Sequence, residues 1–164
     1  MATPILTKEY KNSIIEKYFN MIYKLAIAET KDVHTAEDVT SDVFLKFMQQ
    51  NKTFESEEHI KAWLIRVTIN ASKSVFSSSW FKKTVPLEET LEGAGIPEEE
   101  SEVYLAVMNL PTKYRTVIHL FYYEEFTVKE IANILNSNES TVKSQLSRGR
   151  DLLRESLKGE IDLV

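Results

Sequence analysis

The apolar residues Tyr10, Ile14, Tyr18, Ile22 and Leu25 recur at steps of three and four, the spacing that lines one face of an α-helix. Thr7 stands just ahead as an N-cap, so the pattern predicts a long amphipathic helix. A second helix is predicted from Thr35, with Asp38 three positions on in a variant of the capping box and Val39, Val43, Phe44 and Phe47 as its buried stripe. Asp38, Asp42, Leu45 and Gln49 fall on another face of it. Ser56 caps a third helix, and Glu57 and Glu58 follow where negative charge suits a helix N-terminus. Ile60, Leu64, Val67 and Ala71 make the expected core stripe of this helix, and Trp63, Arg66, Asn70 and Lys73 share the neighbouring face.

Downstream, Leu110-Pro111 opens the segment TKYRTVIHLFYYEEF, with Tyr114, Val117, Ile118 and Phe121 at helical spacing. Tyr122, Tyr123 and Phe126 are expected to pack a small core. Thr127 and Glu130 form a capping box for VKEIANIL, whose Val128, Ile131, Ala132 and Leu135 face inward. The helix ends at Asn136-Ser137-Asn138, a turn-forming trio. In the following stretch, ESTVKSQLSRGR, about 100° per residue points Val142, Leu146, Gly149 and Leu153 to the core and Ser144, Ser147 and Arg148 away from it, with Lys143 at the flank.

Two short helices joined by about three or four turn residues, the second polar outside, describe a helix-turn-helix. Lys143, Ser144, Ser147 and Arg148 then cluster near the end that such a helix presents to a major groove. Arginine and lysine bond guanine edges, and serine bonds bases or phosphates. Asp151 and Glu155 share the outward face but fall in later turns, clear of the phosphates. Gly149 costs a helix interior roughly 1 kcal/mol relative to alanine, which either close approach of a neighbouring helix or chance drift would explain.

Charge changes the picture. The net charge of −5 argues against a nucleic-acid binder, because such a protein must neutralise phosphates, but the distribution matters more. From Lys61 to Lys83 the charged residues are Lys61, Arg66, Lys73, Lys82 and Lys83, all basic; from Thr84 to Tyr104 there are seven glutamates and no base. That change of sign marks a boundary. The segment TVPLEETLEGAGIPEEESE, residues 84 to 102, holds Pro86, Gly93, Gly95 and Pro97 without a sustained apolar period, and reads as an acidic flexible linker. The basic face upstream carries Trp63 beside a guanidinium, an amide and an ammonium, a combination suited to stacking on bases and holding phosphates in single strands. A helix tryptophan serves equally as core, and the residues alone leave both readings open.

The expected fold is therefore all-α, two small helical domains over residues 1–83 and 103–164 joined by the acidic linker. Without cysteine there are no disulfides, thiolate zinc sites or cysteine nucleophiles. No apolar run approaches the roughly 20 residues that span a bilayer, so no membrane insertion is expected and the protein reads as cytoplasmic. His34, His59 and His119 lie apart without metal-ligand spacing, and no glycine-rich phosphate loop or nucleophile motif appears. No enzyme, cofactor or metal is expected.

The stretch LPTKYRTVIHLFYYEEFTVKEIANILNSNESTVKSQLSRGRDLL closely resembles region 4 of sigma-70-type RNA polymerase sigma factors, the domain that reads the minus-35 promoter element. AEDVTSDVFLKFM resembles region 2.2, and HIKAWLIRVTINASKSVF resembles regions 2.3 and 2.4, in the same order and at the right distances. With no room for regions 1.1 or 3, the chain looks like the smallest class, the extracytoplasmic-function (ECF) sigma factors. The resemblance implies docking on core RNA polymerase: region 2 on the β′ clamp coiled coil through Asp38, Asp42, Leu45 and Gln49, region 4 on the β flap. It gives Lys143, Ser144, Ser147 and Arg148 the minus-35 contacts. At the minus-10 element Asn70 matches the family's asparagine at the pocket for a flipped base, Phe54 would form its wall, Trp63 would stack, and Arg66, Lys73, Lys82 and Lys83 would hold the backbone. It also implies promoter DNA and an anti-sigma factor as partners, and a linker whose glutamates mimic nascent RNA in the polymerase channel. The chain departs from the family at Ser41 and Asp42, where glutamine and glutamate are frequent, at SVFSSSW in place of an arginine-rich run, where Trp80 would contribute instead, and at Gly149 in place of alanine. The alternative is a stand-alone helix-turn-helix regulator acting without polymerase. That reading requires a ligand pocket or dimer helix in the N-terminal half, where the chain instead matches a polymerase-docking module.

Overall fold

A computed structural model describes residues 7–76 and 101–161, which are helical with no strand among them. The chain divides into two compact units, residues 1–85 and 86–164. Trp80, Lys82, Lys83 and nearly all of the acidic stretch lie outside the described residues.

The first unit is a bundle of three helices, α1 (Lys8–Thr30), α2 (Val33–Gln49) and α3 (Glu57–Phe76), each packed on the other two. Thr7 caps α1 as its sequence suggests, accepting from the Tyr10 amide at 3.1 Å. Ile14, Tyr18, Ile22 and Leu25 are buried, and each fully buried aliphatic chain of this kind contributes roughly 1.5–3 kcal/mol. α2 begins earlier than expected. Its N-cap is Asp32, whose Oδ2 accepts from both the amide (3.0 Å) and the hydroxyl (2.6 Å) of Thr35. The carboxylate takes the capping role assigned to Thr35 because it brings a negative charge to the helix N-terminus as well as an acceptor. At the other end of α2, the buried Lys11 ammonium of α1 donates to the carbonyls of Met48 and Gln50, both at 2.9 Å. A cation there answers the negative end of the helix and its orphan carbonyls together.

Ser56 caps α3 through the His59 amide at 3.2 Å. The α3 core stripe differs from the expected one: Ile60, Leu64, Ile65, Thr68, Ile69 and Ser72 are buried, while Val67 and Ala71 are only half-buried. Two hydroxyls occupy core positions because each bonds within its own helix, Thr68 Oγ1 to the Leu64 carbonyl (2.7 Å) and Ser72 Oγ to the Thr68 carbonyl (2.8 Å). A buried polar group satisfied in this way carries little desolvation cost.

The second unit starts with α4 (Ser101–Met108), continues through α5 (Thr112–Ile118) into a π-helical turn at His119–Tyr123, and ends with α6 (Val128–Leu135) and α7 (Glu139–Ile161). α4 begins inside the stretch expected to be linker, taking in Ser101 and Glu102. Its Tyr104, Val107 and Met108 are buried at helical spacing. Arg115 of α5, also buried, donates from Nη1 to the carbonyls of Leu110 (2.8 Å) and Met108 (3.3 Å), closing the end of α4. The aromatic core expected after α5 is realised only in part: Phe126 is buried, but Tyr122 and Tyr123 are 49% and 37% exposed. The wider π turn changes the rotation of the chain, so His119 and Leu120 turn inward in their place.

Candidate nucleic-acid interface

In the second unit the helix-turn-helix is fixed by main-chain and asparagine bonds. The Thr127–Glu130 capping box is complete, with Thr127 Oγ1 accepting from the Glu130 amide (3.1 Å) and Glu130 Oε1 from the Thr127 amide (2.9 Å). α6 ends at Asn136 in the left-handed region, φ 53°. The Ser137 amide donates to the Ala132 carbonyl at 2.8 Å and the Asn136 amide to the Asn133 carbonyl at 3.3 Å, the two bonds of a Schellman motif. Asn138 then caps α7, its Oδ1 accepting from the Thr141 amide at 2.7 Å and the Ser140 hydroxyl at 2.8 Å. Ile131, Ala132 and Ile134 are the buried residues of α6, with Val128 and Leu135 half-buried.

On α7, Val142, Leu146 and Gly149 are buried and Leu153 is half-buried; Lys143, Ser144, Ser147 and Arg148 are all exposed. The predicted outward face is thus one surface. Gly149 sits where a Cβ would lie 3.0 Å from Cγ1 of Ile118 and 3.5 Å from Cβ of Tyr114, the close approach that its missing side chain permits. Beside the α7 N-terminus runs a cleft of about 340 Å³ lined by Lys113, Tyr114, Ser140, Thr141, Ser144, Gln145 and Arg148. The sequence reading missed Lys113, Tyr114, Ser140, Thr141 and Gln145. Their signal lay in the α7 cap, since the first turn of a helix offers amides and positive potential to an anion.

In the first unit, α3 carries Arg66, Asn70 and Lys73 exposed and Trp63 half-buried on one face. Trp63 rests on an aromatic floor, 6.1 Å from Phe47 and 5.9 Å from Phe54 between ring centroids. Phe54 is 0% exposed and also meets His59 edge-on at 5.3 Å. Its ring meets that of Trp63 edge-on and backs the exposed face of α3 from within. Asp38, Asp42, Leu45 and Gln49 are exposed together on α2. Leu45 is 56% exposed, and Lys46 pairs with Asp42 at 3.0 Å.

No described helix is long and apolar enough to cross a membrane. In the second unit, an apolar groove of about 730 Å³ lies among Val103, Val107, Ile118, Tyr122, Tyr123 and Leu153, rimmed by Arg150 and Arg154.

A family model described as Sigma-70 region 2 matches residues 14–81, and one described as Sigma-70, region 4 matches residues 100–153. The chain is 30% identical to the ECF RNA polymerase sigma factor SigW of Bacillus subtilis (strain 168), over 88% of this chain and 87% of that protein. It is 29% identical to the ECF RNA polymerase sigma factor SigM of the same organism, over 87% and 92%. Among solved structures, the fold is similar to CnrH in complex with the cytosolic domain of CnrY, with TM-score 0.73, 17% identity and coverage of 94% and 91%. It is also similar to the sigma factor RpoE in complex with the anti-sigma factor NepR from Bartonella quintana, with TM-score 0.68, 21% identity and coverage of 94% and 99%. Two matched regions in order, and a relative aligned over nearly its whole length, place the chain in the sigma-70 family of RNA polymerase sigma factors, in its ECF group.

Proposed function

We propose that residues 14–81 dock the chain on core RNA polymerase and open the minus-10 element, and that residues 100–153 read the minus-35 element. The chain is an RNA polymerase sigma factor that directs promoter-specific transcription; sigma factors are initiation factors, and bond making stays with the core enzyme. The assignment of roles to residues rests chiefly on one observation: Lys143, Ser144, Ser147 and Arg148 are exposed together on the first turns of α7. The helix is held there by a capped, hydrogen-bonded turn. A groove-reading helix needs this combination, a rigid mount and a polar, partly basic N-terminal face. Lys113 and Arg148 beside the α7 amides supply a seat for backbone phosphate.

On α3, Trp63 is the stacking platform, Asn70 bonds the edge of an extruded base, and Arg66 and Lys73 hold the single strand. Base extrusion costs a few kcal/mol unless such a pocket receives the base. Lys82 and Lys83 are assigned to the same backbone by their sequence. Asp38, Asp42, Leu45 and Gln49 form the docking face toward the β′ clamp coiled coil, an apolar centre with an acidic edge. The groove lined by Val103, Val107 and Tyr122 takes the β flap. Place of action is the cytoplasm, where core polymerase and promoters meet. The sigma factor RpoE of Bartonella quintana is in complex with the anti-sigma factor NepR, and the same kind of partner is assigned here. A regulator acting without polymerase is not favoured, since residues 14–81 match sigma-70 region 2.

Co-elution with sigma-free bacterial core polymerase on a sizing column tests the docking face. The unaltered chain is expected to co-elute and Asp38→Arg/Asp42→Arg to elute alone. Equal co-elution of both would remove the α2 face from the assignment.

A further inference from the structure

The loop that leads into α3 is tied down by an imidazole. His59 stands at the third position of α3, where its main-chain amide donates to Ser56 Oγ at 3.2 Å and its ring Nδ1 accepts from the Glu55 amide, also at 3.2 Å. The arrangement is a variant of the capping box in which histidine stands in for the usual glutamate or glutamine. The same ring meets Phe54 edge-on at 5.3 Å, and Phe54 in turn meets Trp63 at 5.9 Å and Phe47 of α2 at 6.3 Å. A chain of contacts therefore runs from His59, through a fully buried phenylalanine, to the tryptophan on the polar face of α3.

A glutamine in such a box accepts at any pH near neutrality. An imidazole does not: Nδ1 accepts a hydrogen bond only while it carries no proton, and imidazole is the side chain that ordinarily changes charge between about pH 5 and 8. Protonation sets a donor against the Glu55 amide and puts a positive charge on the first turn of α3, where the helix end is already positive. His59 is half-buried, so protons reach it. Of the charged groups on the segments around it, Lys52 and Glu55 of the loop and Glu58 of α3 are exposed, Glu57 is bonded to Lys17 and Tyr18 of α1, and Lys11 of α1 is engaged by the Met48 and Gln50 carbonyls at the end of α2. The solvated carboxylates offer a charged imidazole only screened attraction. We infer that His59 is a positioning residue for single-stranded DNA: neutral, it fixes the loop at residues 51–56 and, through Phe54, the Trp63 platform; protonated, it releases both, so that the hold on the opened minus-10 strand weakens as pH falls. The inference rests on the assignment of Trp63 to stacking and adds to it a dependence on protons.

The test uses the full-length chain in complex with sigma-free core polymerase and a fluorescein-labelled oligothymidine as the probe. Its anisotropy is read from about pH 8 to about pH 6, within the imidazole range, and a melting curve is recorded for every variant. At the alkaline end the parent and His59→Gln are expected to bind alike and His59→Ala more weakly. Towards the acid end the parent is expected to lose about fivefold relative to His59→Gln, the equivalent of one ordinary hydrogen bond, because glutamine keeps its acceptor. Taking the ratio at each pH removes the proton dependence of core polymerase itself, and parallel profiles for the two chains overturn the inference. In the free chain, NMR reports the tie directly. As pH falls, exchange of the Glu55 amide in the parent is expected to quicken relative to His59→Gln at the same pH, and the Trp63 indole resonance to shift in the parent alone; a parent that shows neither change overturns the inference as well. If both changes occur but Trp63→Ala binds the probe as the parent does, the tie to the loop stands and the stacking assignment fails, taking the DNA half of the inference with it.

Discussion

Glu57 shows how one carboxylate serves two elements. It opens α3 and accepts bonds from Lys17 and Tyr18 of α1. The Lys17 bond first, and the Tyr18 bond second, hold its carboxyl below its ordinary value of 4.5. A carboxyl depressed on folding contributes stability that is present above that ordinary value and is lost as pH falls through the folded value. Glu57→Gln is therefore expected to flatten the acid limb of thermal stability below about pH 5, read by circular dichroism melts across that range. Arg148 belongs to the same scale. If it bonds a base edge, Arg148→Ala loses about 1–3 kcal/mol of promoter binding and relaxes preference at one minus-35 position. A uniform loss across all sequences in a binding series would identify a phosphate contact instead.

At the level of elements, Gly149 sets how closely α5 and α7 approach. Alanine there gains roughly 1 kcal/mol of helix propensity but meets Ile118 at 3.0 Å, so Gly149→Ala is expected to change stability little. Gly149→Val adds bulk with no such gain, and overpacking of about 1–3 kcal/mol should appear as a lower melting temperature. Much at this scale was legible in the sequence. The Thr7 cap, the Thr127–Glu130 box, the Asn136–Asn138 turn and the inward side of α7 are local signals, because each depends on residues within one turn. What was not legible depended on choices between neighbours. Asp32 and Thr35 offer the same capping spacing one turn apart, and only charge decides between them. The α3 stripe moved because Thr68 and Ser72 found acceptors in their own helix, which hydrophobicity does not foresee. Tyr122 and Tyr123 turned outward through a π turn that no residue pattern announces. α4 was overlooked although Tyr104, Val107 and Met108 carried its period, since so short a helix offers little more than two turns of pattern. The polar face of α3 was read correctly, but that its tryptophan stands on Phe47 and Phe54 is a long-range fact.

Across the whole molecule, acid outnumbers base, 25 to 20. The side chains assigned to DNA are a minority on an otherwise repelling surface. The free chain is thus expected to bind a promoter duplex weakly, and core polymerase to raise its apparent affinity by at least two orders of magnitude, on the order of 3 kcal/mol or more. Fluorescence anisotropy with a labelled promoter, with and without core, measures both, and tight binding by the free chain would remove the dependence on a partner.

The turn from Asn136 to Asn138 separates two jobs that share α7. Its bonds run through main-chain amides and the Asn138 side chain, and the helix is buried through Val142, Leu146 and Gly149. None of the four outward residues assigned to DNA takes part. Exchanges at positions 143, 144, 147 and 148 consequently leave the mount intact, since exposed sites away from caps and cores shift stability by only about 0.5 kcal/mol. On that assignment, promoter preference is expected to drift or be re-engineered at these four positions while the protein keeps folding: the address is written on a plate that the building does not lean on.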